Sequence, residues 1–262
     1  MGTLNWKAAP LPGPVTLRGR YVTLEPLDAG RHGAALWEAV RSHDELWTWL
    51  AQGPYQDAAE MLAQLELWRA GSQAVLLAIV PCAGEANPER GAAGAAEEQP
   101  IASPEDASAL GTANSPEGQA GGWASLMRIK PAHGVIEVGN VLFSPALQRT
   151  RAATEAMYLM AAHVFDHLGY RRYEWKCNAL NEASRRAALR LGFTFEGIFR
   201  QHMVVKDCSR DTAWFAMLDH EWPERKRAFE AWLEPGNFDE QGKQRRQLRP
   251  PKPPDKPGQS EG

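Results

Sequence analysis

The chain has 262 residues and a mass of 29.0 kDa, enough for one large domain or two small ones with a real core. With 44% hydrophobic and 23% charged residues it is not a chain disordered throughout. A formal charge of -3 excludes a globally basic nucleic-acid binder, and Cys82, Cys177 and Cys208, odd in number and far apart, fit neither a disulfide framework nor a zinc site.

Residues 1–14 read as an N-terminal arm without the apolar core of a signal peptide. Val15–Leu27 alternates polar and apolar residues, a strand pattern. Gly30–Leu50 and Asp57–Ala70 read as helices, the second carrying Met61, Leu62, Leu65 and Trp68 at helical spacing between a cap at Asp57 and a stop at Gly71. Ala74–Val80 is a short apolar run that fits a buried strand.

Residues 122–129 and 135–143 read as two strands joined by the turn KPAHG. Arg151–Leu168 is a helix ended by Gly169, Tyr170–Asn178 a strand, and Asn181–Leu191 a helix ended by Gly192. Phe193–Val205 and Asp211–Leu218 are strands joined by KDCSRD, and Pro223–Leu233 is a last amphipathic helix. This order predicts an α+β domain over 15–236, with a mostly antiparallel sheet and one or two parallel crossovers.

Two stretches read as disordered. Residues 82–120 hold eleven Ala, five Gly, four Pro and seven acidic residues against one Arg, too little apolar surface to offset ordering. This reads as an insertion in a loop between two strands. From 237 onward the chain reads as a basic, Pro-rich tail, with six basic residues and five prolines over 241–262. The ten tryptophans form no repeat and read as packing residues. No run approaches a membrane span.

The informative segment is a strand ending at Phe143-Ser144-Pro145, a short loop, and a helix starting near Arg151. First-turn amides of a helix lack internal partners, and the helix dipole makes that end attractive to anions. Small Ala152 and Ala153 allow close approach, and Arg149 and Arg151 add charge suited to a pyrophosphate. By spacing alone the segment is either a phosphate site or an ordinary helix start.

Gln148, Arg151 and Ala153 lie at the defined positions of Gln/Arg-x-x-Gly-x-Gly/Ala, and the segment resembles the acyl-CoA motif of the GNAT superfamily of N-acetyltransferases. Arg151 replaces the usual Gly and serves if its backbone is helical and only its amide is used. Ile136-Glu137-Val138-Gly139 and the later run Asn181-x-x-Ser184…Leu191-Gly192-Phe193…Glu196-Gly197 resemble the RimJ/RimL branch, related to ribosomal-protein N-terminal acetyltransferases. The resemblance covers roughly 15–222 apart from the insertion.

The resemblance implies a GNAT fold with a splayed parallel strand pair, Ile136–Phe143 and Tyr170–Asn178, holding the pantetheine arm. It places cofactor contacts at Val141, Phe143, Gln148, Arg149, Thr150, Arg151, Ala152, Ala153, Thr154, Asn178 and Asn181. Acetyl transfer to an amine needs a base, a donor for the oxyanion and a proton for the leaving thiolate. Glu137 is the candidate base, with Glu174 and Glu196 behind it, and the backbone near Val141 is the oxyanion donor if the strand bulges or splays there. The family's tyrosine acid would fall at Ala188, so Ser184 is the substitute donor to sulfur.

Cys177 reads as a buried strand cysteine, His163 and His167 as structural, and His202 as lying near the substrate side. The expected activity is acetyl-CoA-dependent transfer to a primary amine, a protein N-terminus or a small molecule, without a metal and in the cytoplasm. Alternatives are a non-catalytic acyl-CoA-binding or sensing module and an RNA-associated role for the tail. A homodimer is compatible with this reading; membrane and nucleic-acid partners are not expected.

Overall fold

A computed structural model describes residues 4–71, 74–83 and 118–249. Among them one sheet has eight strands in the order β1-β2-β3-β4-β5-β6-β8-β7. The strands are β1 (Leu17–Arg18), β2 (Val22–Pro26), β3 (Ala74–Pro81), β4 (Gly122–Lys130), β5 (Val135–Phe143), β6 (Arg172–Asn178), β7 (Thr194–Val205) and β8 (Cys208–Leu218). The helices are α1 (Ala29–Val40), α2 (Ala58–Ala70), α3 (Arg151–Ala162), α4 (Glu182–Arg190) and α5 (Trp222–Leu233). Every pairing is antiparallel except β5 with β6.

The sheet has a core on each face. One packs Leu36, Val40, Met61 and Leu65 of α1 and α2 against Leu76, Ala78 and Trp123. The other packs α3, α4 and α5 through Ala156, Met160, Ala188 and Phe229 against Ile136, Val138, Tyr173 and Phe215. Tryptophans serve both: Trp47 and Trp68 meet Trp123, and Trp222 stacks on Phe165 and Tyr158.

Four expected elements differ in detail; in one, the turn expected over KDCSRD is only Lys206-Asp207, because β8 already pairs with β7 from Cys208. The strand over Val15–Leu27 is two antiparallel strands, because Gly19, Arg20 and Tyr21 leave the ladder. The Arg20 and Tyr21 amides donate instead to the buried Glu155 carboxylate on α3, at 3.0 and 2.6 Å. The helix over Gly30–Leu50 stops at Val40, and a separate 3-10 turn covers Asp44–Trp47. Ser42 and Asp44 have side chains that compete with helical hydrogen bonds, and the separate turn lets Trp47 bury against Tyr55 and Trp123. The helix from Arg151 changes to a π-helix over His163–His167, with Leu168 donating to the His163 carbonyl, before left-handed Gly169.

The first part of the expected tail is folded. Phe238 and Leu248 are buried, and Asn237 donates to the Trp232 carbonyl and accepts from the Arg246 amide. Two apolar anchors and one buried Asn tie 237–249 to the domain, which the basic and proline-rich composition conceals. Residues 84–117 of the expected insertion and 250–262 of the expected tail lie outside the described residues. At the insertion's end, Ala120 is buried against the α1–α2 side.

What positions the site is the end of the parallel pairing. β5 and β6 pair from Val135 with Arg172 to Val138 with Trp175, and the ladder stops there. Beyond it, Gly139, Leu142 and Phe143 stay paired with β4, and Lys176, Cys177 and Asn178 stay paired with β8. The two strands therefore part into a V. On the β4 side the register jumps from Gly139 opposite Ser125 to Leu142 opposite Trp123, which puts Asn140 and Val141 in a bulge, with Asn140 left-handed at φ 52°.

Candidate active site

At the floor of the V three charged side chains come together. Lys176 Nζ lies 2.5 Å from Glu137 Oε2 and 2.6 Å from Glu174 Oε2. Their placement follows from register: Glu137 is opposite Glu174 across the parallel pair, and Lys176 is two residues further on the same face of β6. All three side chains are nearly inaccessible to solvent. Arg128 reaches Glu137 at 3.2 Å, and Arg172 bridges Glu174 at 2.7 Å to Glu196 at 2.6 Å. The ammonium of Lys176 also sits 4.0 Å above the Trp214 ring.

Burial pushes the Glu137 carboxyl above the usual carboxylate range, and Lys176 and Arg128 offset this only in part. Burial acts on Glu174 too, but hydrogen bonds from Lys176 and Arg172 outweigh it and hold that carboxyl below the usual range. Neighbouring carboxyls thus have opposite tendencies, a pattern common where one of them handles protons.

Ser184 is on the other face. Its hydroxyl accepts from the Trp175 indole at 3.0 Å and lies beside Cys177, whose thiol burial pushes up. Trp175 and Cys177 alternate with Glu174 and Lys176 along β6, so Glu137 and Ser184 flank the V from opposite sides. The structure brings Glu137 and Glu174 together; Glu196 joins them only through Arg172, and Ser184 stands apart.

The start of α3 lies at the end of β5. Gln148 donates to the Phe143 carbonyl at 3.1 Å, and Thr150 caps the helix by accepting from the Ala153 amide at 3.0 Å. Arg149 adopts a left-handed conformation, φ 63°, and is exposed. Arg151 is the first helical residue, with its guanidinium 4.6 Å over the Tyr21 ring and 5.2 Å over Phe238. The helical backbone needs no glycine there. Ala152 and Ala153 are buried, and Thr154 accepts from Arg190 at 3.2 Å. Asn178 and Asn181 direct their side-chain oxygens to the Leu180 and Ser184 amides, shaping the loop and capping α4.

Lys176, Arg128 and Trp214 were not among the expected site residues. The signal for Lys176 was present: in Arg172-Tyr-Glu-Trp-Lys-Cys-Asn178 charge and bulk alternate, and strand register turns that into a charged face. His202 is held by Thr212 at 2.9 Å and packs on Trp214, on the Glu137 side. His163 is buried within the π-helix, and Cys177 is buried in β6. Among the described residues no group of three His, Cys, Asp or Glu is placed to hold a metal, and no helix is long and apolar enough to cross a membrane.

Among the described residues, a mixed sheet parted at its one parallel pair, with a capped helix start at the end of the first parted strand, is the frame of an acetyltransferase. The chain matches the acetyltransferase (GNAT) domain over residues 22–194 and belongs to that family. A GCN5-related N-acetyltransferase from Brucella melitensis is 42% identical, covering 93% of this chain and 96% of its own, with a TM-score of 0.77. A GNAT-family structure from Chromobacterium violaceum is 38% identical over 85% and 96%, TM-score 0.68. RimJ of Mycobacterium smegmatis, solved with CoA-disulfide, shares the fold at 15% identity over 83% and 93%, TM-score 0.58. No curated protein matches the chain.

Proposed function

We propose that this GNAT acetyltransferase transfers an acetyl group from acetyl-CoA directly to a primary amine, a protein N-terminus or a small-molecule amine. The observation that carries the reading is the V between β5 and β6, with a bulge at Asn140–Val141 on one side and buried Glu137 at its floor. When bound there, acetyl-CoA supplies a thioester carbon open to attack.

Only a neutral amine attacks, and an α-amino group has a pKa of about 8. Glu137, raised by burial, accepts the amine proton directly or through a water. The new C–N bond forms as the C–S bond breaks. The Val141 amide, taken out of register by the bulge, is the donor for the oxygen that becomes negative. Ser184 hydrogen-bonds to the departing sulfur from the opposite side. The amides of Arg151 and Ala152 with the Arg149 side chain receive the pyrophosphate, Gln148 and Thr150 hold that loop, and Val141, Phe143, Asn178 and Asn181 line the pantetheine path. Buried Ala153 and Thr154 complete the first turn.

The run from Asn181 to Gly197 supports a RimJ/RimL-like branch, and the odd cysteine count supports a reducing compartment such as the cytoplasm. The test is the melting temperature with and without acetyl-CoA, followed by thiol release with an amine panel. Saturation at 100 times Kd adds about 2.7 kcal/mol of stability. No shift at millimolar acetyl-CoA overturns the reading.

A further inference from the structure

Charge on the Glu137 face of the sheet does not balance. Glu137, Glu174 and Glu196 are each ion-paired, by Lys176, Arg128 and Arg172. A fourth cation, Arg210, belongs to the same face. Along β8 the residues Arg210, Thr212 and Trp214 alternate with the core residues Ala213 and Phe215, so they share one side. Trp214 is opposite Lys176 and Thr212 opposite Asn178, which places Arg210 just past the end of β6, at the mouth of the V.

Arg210 forms no ion pair among the described residues, and its Nε is sealed from water with no hydrogen-bond partner. The indole Nε1 of Trp214, two positions along the same face, is likewise buried without an acceptor. Two buried donors without acceptors are costly, and one belongs to a cation. Burial weakens the hold of Arg210 on its proton and Arg128 adds to this by repulsion, while Cys177 and Glu137, which pull the other way, offset it only in part. Phe199, stacked 4.4 Å from Trp214, gives the face an aromatic wall. A cationic acceptor such as a polyamine would meet this unpaired cation. An acceptor with its own anion would supply what the face lacks.

Resting on the acetyltransferase reading, we infer that Arg210 is a specificity residue that holds the anionic group of the acceptor, a small primary amine bearing a carboxylate or phosphate, with its amine toward Glu137. The planar guanidinium suits either anion in a two-point hydrogen bond.

The experiment compares initial rates of acetyl-CoA thiol release on glycine, glycinamide, 2-aminoethyl phosphate and spermidine, for the wild type, Arg210→Gln and Arg210→Lys, with acetyl-CoA binding read separately from the melting shift. The wild type is expected to favour an anionic amine over glycinamide and spermidine by tenfold or more in kcat/KM. Glycine against 2-aminoethyl phosphate tells carboxylate from phosphate. Arg210→Gln is expected to abolish the preference through KM while keeping the acetyl-CoA shift, and Arg210→Lys to restore it in part. Equal or better rates with glycinamide or spermidine, a preference that survives Arg210→Gln, or no turnover of either anionic amine by a protein that binds acetyl-CoA overturns the inference. Loss of the acetyl-CoA shift in the wild type overturns the underlying reading instead.

Discussion

Glu137 and Glu174 face each other across the only parallel rungs of the described sheet and share one ammonium, that of Lys176. Removing either carboxyl or the cation therefore has different consequences for chemistry and for folding.

Glu137→Gln keeps the shape of the side chain and removes the proposed base. We expect kcat to fall about 100-fold or more, with little change in the acetyl-CoA melting shift. Because burial raises the Glu137 pKa, the wild-type rate should decline on the acid side from a pH above the ordinary glutamate value of about 4.3. That limb should be missing in the variant. A pH–rate profile of kcat shows both effects, and an unchanged profile removes Glu137 from the mechanism.

Lys176→Met replaces the buried cation by a chain of similar length. Two carboxyls are then left with only Arg128 and Arg172, and we expect a loss of about 3–5 kcal/mol at pH 7. Without the ammonium the Glu137 carboxyl rises further and Glu174 loses part of what holds it down, so the folded variant binds more protons than the folded wild type. The variant should therefore regain stability relative to the wild type as the pH falls from 7 toward 5. Thermal unfolding across that range decides it; a constant difference between the two proteins rules out this account.

Arg151→Gly restores the residue usual in the family at that position. The guanidinium is stacked over Tyr21 and Phe238, so its loss should cost about 0.5–1 kcal/mol of stability. Its amide contribution to the helix start remains, and acetyl-CoA should still raise the melting temperature. A variant that no longer responds to acetyl-CoA would show that the side chain itself is needed for binding.

Ending the chain at 236 removes Phe238 and Leu248 from the core and exposes the surfaces they cover. Each buried side chain of this size contributes about 1.5–3 kcal/mol as an upper bound. A chain ending at 249 keeps both anchors and should melt well above one ending at 236. Equal melting temperatures would mean that the segment adds nothing to the fold.

Much of the fold was legible in the sequence because its elements are locally consistent. Asp57, Thr150 and Asn181 are caps with the side-chain hydrogen bonds that their residue types favour. The helix limit near Val40 was not legible, since Trp47 leaves the helix for contacts with Trp123, far away in the chain. The folded start of the tail depends on two apolar side chains in a polar context. At the site, Glu137 could be named from its segment, but its partner Lys176 is 39 positions away and emerges only from strand register. The unpaired character of Arg210 is a property of the assembled face and has no local signature.

The V between β5 and β6 is also an edge inside the sheet. Each parted strand is paired on its outer side, to β4 and to β8, and turns its other backbone edge toward the gap. Sheets ordinarily expose such edges only at their margins, where proteins guard them. Here the two edges face one gap inside the sheet, and under the proposed function a ligand with amide groups along its length would be the missing rung. Binding would then knit two halves of the sheet, β1–β5 and β6–β8, that otherwise share just four residue pairs of ladder. Substrate occupancy and the cohesion of the whole fold would rise together.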